Sequence, residues 1–235
     1  MKILAIDSSS MVASVAVAED DILMAEYTIN HKKTHSQTLL PMIDEISRMI
    51  ELDIESIDAI AIAGGPGSFT GLRIGSATAK GLGLALQKPL INVPTVDAMA
   101  YNLYGIEGIV CPIMDARRQQ VYTGIYSFDD GKFQILLEQQ PLAVLELIEK
   151  INSIGRKVVF TGDGIPPYSD YITQNIKVPY EFAPVHLNRQ RAGAVAALAF
   201  AYAKENKYEQ AAEHRPEYLR LSQAERERKE KEANK

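Results

Sequence analysis

The residues best suited to chemistry by type and spacing are those of Gly64-Gly65-Pro66-Gly67-Ser68-Phe69-Thr70-Gly71-Leu72-Arg73-Ile74-Gly75. The stretch follows an apolar, strand-like run at 57–63 and opens a helix-like run that reaches Leu86. A strand, a glycine-rich turn and a helix start in this order bring backbone N–H groups close to a phosphate or to another chain. Spacing narrows the choice. A P-loop requires Lys and then Ser or Thr after its last glycine, whereas Gly71 is followed by Leu72 and Arg73. A dinucleotide fingerprint separates its second and third glycines by two residues, and three lie between Gly67 and Gly71. A tight turn whose glycines permit positive φ and close packing explains the local pattern equally well. His31 and His35 stand at i,i+4 spacing, but HKKTH lacks the glutamate of a zinc-protease HExxH helix and precedes the first expected helix. Both are expected to be solvated loop residues. Cys111, in the apolar run Ile109-Val110-Cys111-Pro112-Ile113, is expected to be a buried inert thiol.

An α/β framework must position these residues. Residues 2–7, 12–17 and 22–29 read as three consecutive strands, an antiparallel meander with Asp20-Asp21 in its second turn. A helix at 36–50 carries Leu39, Ile43, Ile46 and Ile50 on one stripe. Leu40, Met42 and Met49 widen that stripe to roughly half the circumference, more than one sheet face requires. The surplus suits an exposed contact surface or a helix sunk between two layers. The helix after the glycine loop carries Gly71, Gly75, Ala79 and Gly83 at four-residue spacing, a row of small residues that lets another backbone come close. Residues 90–93 read as a strand and 95–104 as a helix with Thr95 at its N-cap.

After a linker at 105–108 the pattern restarts. A strand at 108–114 ends on Asp115 as the first ended on Asp7, 108 positions earlier. Strands at 121–128 and 133–137 flank Asp129-Asp130-Gly131, and a helix at 141–151 follows. A strand at 157–161 runs into Gly162-Asp163-Gly164, and Pro166-Pro167 opens an irregular stretch to about residue 180. Asn188 is expected to cap an alanine-rich helix reaching Lys204. Two βββαβα halves argue for a duplicated α/β unit: a first lobe at 1–104, a second, degenerate lobe at 108–220, and a charged tail at 221–235.

With 235 residues and 46% hydrophobic composition the chain can bury a proper core. No apolar run approaches the roughly 18 residues of a membrane span, and Asp7 comes too early for a signal peptide. A single cysteine makes the cytoplasm the expected compartment. The net charge of −5 argues against independent nucleic-acid binding.

The duplicated halves with acid-ended first strands resemble the actin, sugar-kinase and Hsp70 ATPase superfamily, a ribonuclease H-like architecture. The loop GGPGSFTGLRIG is more specific. Together with ILAIDSS, His35-Ser36-Gln37-Thr38-Leu39-Leu40-Pro41 and Pro216-Glu217-Tyr218-Leu219-Arg220, it resembles the TsaB (YeaZ) family over residues 1 to about 220. The resemblance implies a non-catalytic subunit in the formation of N6-threonylcarbamoyladenosine in tRNA. It would support a TsaD-like catalytic paralogue that transfers the threonylcarbamoyl group from threonylcarbamoyl-AMP to adenosine 37 of tRNAs reading ANN codons. It also implies a TsaE-like ATPase as third partner, ATP and metal on the partner subunits, tRNA contact only through the complex, and a homodimer in isolation.

TsaD binds its metal partly through a His-x-x-x-His pair, and the matching positions here hold Thr95 and Met99, which do not suit that cation. The superfamily's glycines after both strand-end aspartates are replaced by Ser8-Ser9-Ser10 and by Ala116-Arg117-Arg118-Gln119-Gln120. A residual nucleotide site would comprise Asp7, Ser8, Ser9, Asp115, Gly162 and Gly164. The candidate partner interface comprises Leu39, Leu40, Met42, Ile43, Ile46, Met49, Gly71, Leu72, Gly75 and Ala79. The alternatives are a free-standing ATP-dependent phosphotransferase using Asp7 and Asp115, and a metallopeptidase, which lacks an evident metal site.

Overall fold

Small and β-branched residues in the first thirty positions form an antiparallel meander, β1 (Lys2–Asp7), β2 (Val12–Glu19) and β3 (Ile22–Asn30). β4 (Ala59–Gly65) and β5 (Leu90–Pro94) join parallel to β1, in the order β3-β2-β1-β4-β5. The computed structural model describes residues 1–32 and 34–220; the charged tail expected at 221–235 lies outside the described residues. The second half repeats the plan. β6 (Ile109–Asp115), β7 (Gln120–Ser127) and β8 (Gln134–Ala143) form the meander, and β9 (Val158–Thr161) and β10 (Tyr180–Phe182) extend it, in the order β10-β9-β6-β7-β8.

On one face of the first sheet lie α1 (His35–Met49) and α2 (Phe69–Leu86), whose apolar sides meet Leu4, Ile6, Val15, Val17, Ile60 and Ile62. The other face is covered by α6 (Ala192–Lys204), whose Ala192, Val195, Ala196 and Ala199 pack on Ala5, Ala16, Ala61 and Ala63. Alanine on both sides allows close approach of helix and sheet, so β2 is buried through Ala18, on both faces. Although its sequence position falls in the second half, α6 thus completes the first sheet's core. α3 (Thr95–Tyr101) joins the lobes, with Val96 and Met99 set among Val110, Met114, Tyr126 and Val159 of the second sheet. α4 (Val144–Ile154) and α5 (Ile165–Asn175) cover that sheet's far side.

Several local expectations are corrected. The stretch after Gly164 is helical: Pro166 and Pro167 fall in the first turn of α5, where a missing N–H removes no internal hydrogen bond. β8 runs to Ala143 and α4 begins only at Val144, because Pro141 sits on an edge strand that tolerates it. Asn188 does not cap α6, whose N-cap is Arg191. Thr95 is the first residue of α3 rather than its cap, and its Oγ1 accepts a hydrogen bond from Gly65 N at 3.1 Å.

Candidate functional site

The glycine loop and the Ser8-Ser9-Ser10 turn interlock. β1 and β4 are adjacent and parallel, so the turn after β1 faces the start of α2. A Cβ on Gly67 would lie 2.2 Å from Ser9 O, on Gly71 2.1 Å from Ser8 O, and on Gly75 2.2 Å from Ser8 Oγ. The small-residue row therefore receives this chain's own turn. Ser68 N donates to Ser9 O at 2.6 Å and Ser8 Oγ donates to Gly71 O at 2.9 Å. Ser68 is the N-cap of α2, its side chain accepting from Gly71 N. A helix N-terminus attracts anions, and here the Ser9 carbonyl takes an N–H at that end.

The two strand-end aspartates differ. Asp7 is buried: Oδ1 accepts from Ser9 N (2.9 Å) and Ser9 Oγ (2.7 Å), while Oδ2 has no partner. Burial pushes its carboxyl up to about 6, against the opposing pull of the Ser9 hydrogen bonds and of His35. Asp115 is exposed, accepting from Arg117 N at 2.8 Å and Tyr168 OH at 3.1 Å. Gly162 and Gly164 lie against β6, where Gly164 N donates to Ile113 O at 2.9 Å. This packing accounts for both glycines.

His35 is a correction. It is buried at the start of α1, with Nε2 bonded to Ser10 O at 2.8 Å and Nδ1 unpartnered. His31 is exposed as expected. Thr95 and Met99 are both buried, the sulfur of Met99 accepting from Gln190 Nε2 at 3.4 Å. Among the described residues no three His, Cys, Asp or Glu side chains are grouped to hold a metal.

Sequence reasoning missed Asp97. Its carboxylate accepts from Tyr126 OH of β7 (2.7 Å) and from Tyr202 OH of α6 (3.3 Å), tying α3 to both lobes. Burial pushes it up to about 6 in spite of the Tyr126 hydrogen bond. A charged residue in the first turn of an otherwise apolar helix was the available signal. The closing PEYLR segment also gains a role: Glu217 N donates to Gly64 O at 2.7 Å, the Tyr218 ring packs tilted against Phe69 with ring centres 4.3 Å apart, and Arg220 Nη1 donates to Ala116 O at 2.7 Å. It straps the glycine loop to the β6–β7 turn.

The candidate interface residues divide. Leu39, Met42, Ile43, Ile46, Leu72 and Ala79 are buried within the chain, as are Gly71 and Gly75. Met42, expected on the widened and available edge of α1, is only 2% exposed and belongs to the core under that helix. Leu40 (54% exposed) and Met49 (75%) do face outward, on opposite flanks of the buried stripe, and Leu84 of α2 is exposed as well. An open groove of about 600 Å³ runs beside Leu40, Asp44, Arg48, Leu52 and Ile54.

Two lobes of matching strand order, joined by a helical layer and each led by an acid-ended strand, define the actin-like ATPase fold class. Component A of (R)-2-hydroxyglutaryl-CoA dehydratase from Acidaminococcus fermentans shares this fold, with a TM-score of 0.50 at 12% identity over 88% of this chain and all (100%) of that one. A crystal structure from Pseudomonas aeruginosa, of an uncharacterized protein with similarity to peptidase YeaZ, superposes with a TM-score of 0.80 at 25% identity over 93% of this chain and 99% of that one. The family model for TsaD, tRNA N6-adenosine threonylcarbamoyltransferase, matches residues 23–228. The tRNA threonylcarbamoyladenosine biosynthesis protein TsaB of Bacillus subtilis (strain 168) is 31% identical over 225 residues, which cover 96% of each chain. The chain belongs to the TsaB family. Among the described residues no helix is long and apolar enough to cross a membrane.

Proposed function

We propose that the chain serves N6-threonylcarbamoyladenosine formation in tRNA as a non-catalytic subunit. It supports a TsaD-like paralogue that transfers the threonylcarbamoyl group from threonylcarbamoyl-AMP to adenosine 37, with a TsaE-like ATPase as third member. Kinship supplies the pathway. The observation that carries the non-catalytic part is the Ser9 carbonyl accepting the Ser68 N–H at the start of α2. It packs the turn after Asp7, where kinases of the superfamily carry glycines, against the glycine loop of the same chain. Reconstitution tests the reading. The isolated chain with ATP and Mg²⁺ is expected to show no turnover and no micromolar tRNA binding at physiological salt. Modified nucleoside is expected, by chromatography and mass spectrometry, only when both the chain and the TsaD-like subunit are present. ATP turnover by the chain alone, or undiminished product without it, overturns the reading.

The partner face is assigned to the outer side of α1 and α2, where two helices from each chain pack as a four-helix layer. The same face would serve a homodimer in isolation, so the two assemblies compete. Leu40→Glu with Met49→Lys places a charge on each flank of α1, at side chains that are exposed in the monomer. Unpaired charges desolvated in an interface cost several kcal/mol, so the double variant is expected to fold normally and lose both assemblies. Met42→Glu is expected to unfold the chain instead, because Met42 is core. Light scattering after size exclusion, with and without the paralogue, decides: unchanged masses for the folded double variant place the interface elsewhere.

A further inference from the structure

The turn joining β6 to β7 holds three consecutive residues in the left-handed region, Arg117 (φ 62°), Arg118 (φ 57°) and Gln119 (φ 57°). L side chains resist this conformation, and a hairpin closes without strain on Asn-Gly or Gly-Gly. The backbone is held there from several sides. Arg117 N donates to Asp115 Oδ1 at 2.8 Å, Gln120 N to Arg117 O at 3.2 Å, Val144 N to Gln119 O at 3.2 Å, and Arg220 Nη1 to Ala116 O at 2.7 Å. The side chains of Arg117 and Arg118 are exposed, and among the described residues neither makes a hydrogen bond or ion pair. Arg48, Arg156 and Arg191 are each paired with a carboxylate. Neither carboxylate at the base of the turn forms an ion pair with Arg117 or Arg118: Asp115 accepts from Tyr168 OH, and Asp163 Oδ1 accepts from Asp115 N at 3.1 Å.

We infer that this turn is a phosphodiester-binding element that contacts the RNA backbone of the tRNA substrate within the assembly. The inference rests on the function proposed above and adds a substrate contact to it. Guanidinium groups match phosphate oxygens in bidentate geometry, and backbone contact positions RNA without reading its bases. The anchored backbone fixes where both side chains start, so only the side chains themselves are left to order on binding. The turn itself favours RNA over an acidic protein surface. Protein contacts centre on buried aromatic or aliphatic anchors, whereas the exposed side chains at its tip, Arg117, Arg118 and Gln119, are all polar, and the exposed apolar Leu145 and Tyr218 stand only at its borders. Two cations on a chain of net charge −5 do not hold RNA alone, so the element acts beside the partner's own contacts.

The test uses the full chain assembled with its TsaD-like paralogue and an unmodified tRNA transcript, followed by fluorescence anisotropy over a salt series. Arg117→Gly with Arg118→Gly is expected to keep the assembled mass and to raise Tm by roughly 2–4 °C through relief of the left-handed strain. It is expected to weaken RNA binding about tenfold at low salt and to reduce the salt slope by about 1.5. Arg117→Lys with Arg118→Lys keeps both charges and most of the slope. Unchanged affinity and slope in the glycine variant overturn the inference while leaving the proposed function intact, since modified nucleoside still forms. Loss of assembled mass with undiminished RNA affinity per assembled complex makes the turn a protein contact and overturns it too. A wild-type assembly that neither binds tRNA nor yields modified nucleoside overturns both the inference and the function it rests on.

Discussion

Gly71→Val is expected to lower Tm by roughly 6–12 °C, corresponding to about 3 kcal/mol, and to weaken assembly with it. Gly71 is a helical residue and not among the positive-φ glycines, so the effect comes from close approach alone. Its Cβ would lie 2.1 Å from Ser8 O and 3.3 Å from His35 Cδ2. The first neighbour is backbone, in a turn whose Ser9 N and Oγ are both bonded to Asp7 Oδ1. The turn cannot yield without exposing a buried carboxylate. Relief must come from displacing α2, whose Ala79, Ile74 and Leu82 are packed with the β1 and β4 side chains. Gly81→Ala is the control. The same helix carries this glycine with nothing within 4 Å of its Cβ, so alanine there is expected to stabilise by about 0.5–1 kcal/mol. Thermal melts of both variants check the account, and a Gly71→Val protein melting within a degree of wild type defeats it.

Stability is expected to fall as pH rises from about 4 to 7, through Asp7 and Asp97. Both carboxyls are buried and stand near 6 in the folded state against 3.8 ordinarily. A folded-state pKa raised above the unfolded one means that the native chain holds the proton longer. The contribution is fully present below the unfolded value near 4 and is lost as pH climbs through 6. Two units correspond to about 3 kcal/mol per group as an upper bound, and relaxation on ionisation reduces this to about 2. Asp129 works in the opposite sense: its hydrogen bond from Arg156 holds its carboxyl below the usual range, so its contribution is lost in acid. Asp97→Asn isolates one group. The hydroxyls of Tyr126 and Tyr202 are pushed above their ordinary range, so they stay protonated throughout. The variant is expected to be about 2 kcal/mol more stable than wild type at pH 8, to be close to it at pH 4.5, and to show a flatter profile between. Urea titrations at these two pH values read it directly. Wild-type stability that rises between pH 5 and 8, with the variant tracking it, removes Asp97 from the account.

The period-2 runs at the start of each half, the acids that end them and the turn residues between them were enough to read a duplicated α/β plan from the residues alone, because strand alternation and hairpin chemistry are local. The GGPGSFTGLRIG loop likewise marked its strand-to-helix junction and the family. Depth of burial was not local. A helical stripe fixes an angle around α1, and Leu40, Met42 and Met49 all border that stripe. Only the position of α1 over β2 sends Met42 inward and leaves the other two exposed. The same reason applies to His35, whose polar neighbour Ser10 is 25 residues away and reaches it through the β1–β2 turn. The small-residue row of α2 announced a close backbone approach without saying whose. The pairing of β1 with β4 brings Ser8 and Ser9 there, filling from within a place that the pattern left open to a ligand or a partner. α6 shows the effect over the greatest span. Its alanines declared a close-packed helix, but only the tertiary fold carries it back from the second half onto β1 and β2, where burial of the first sheet's open face outweighs the loop needed to return there.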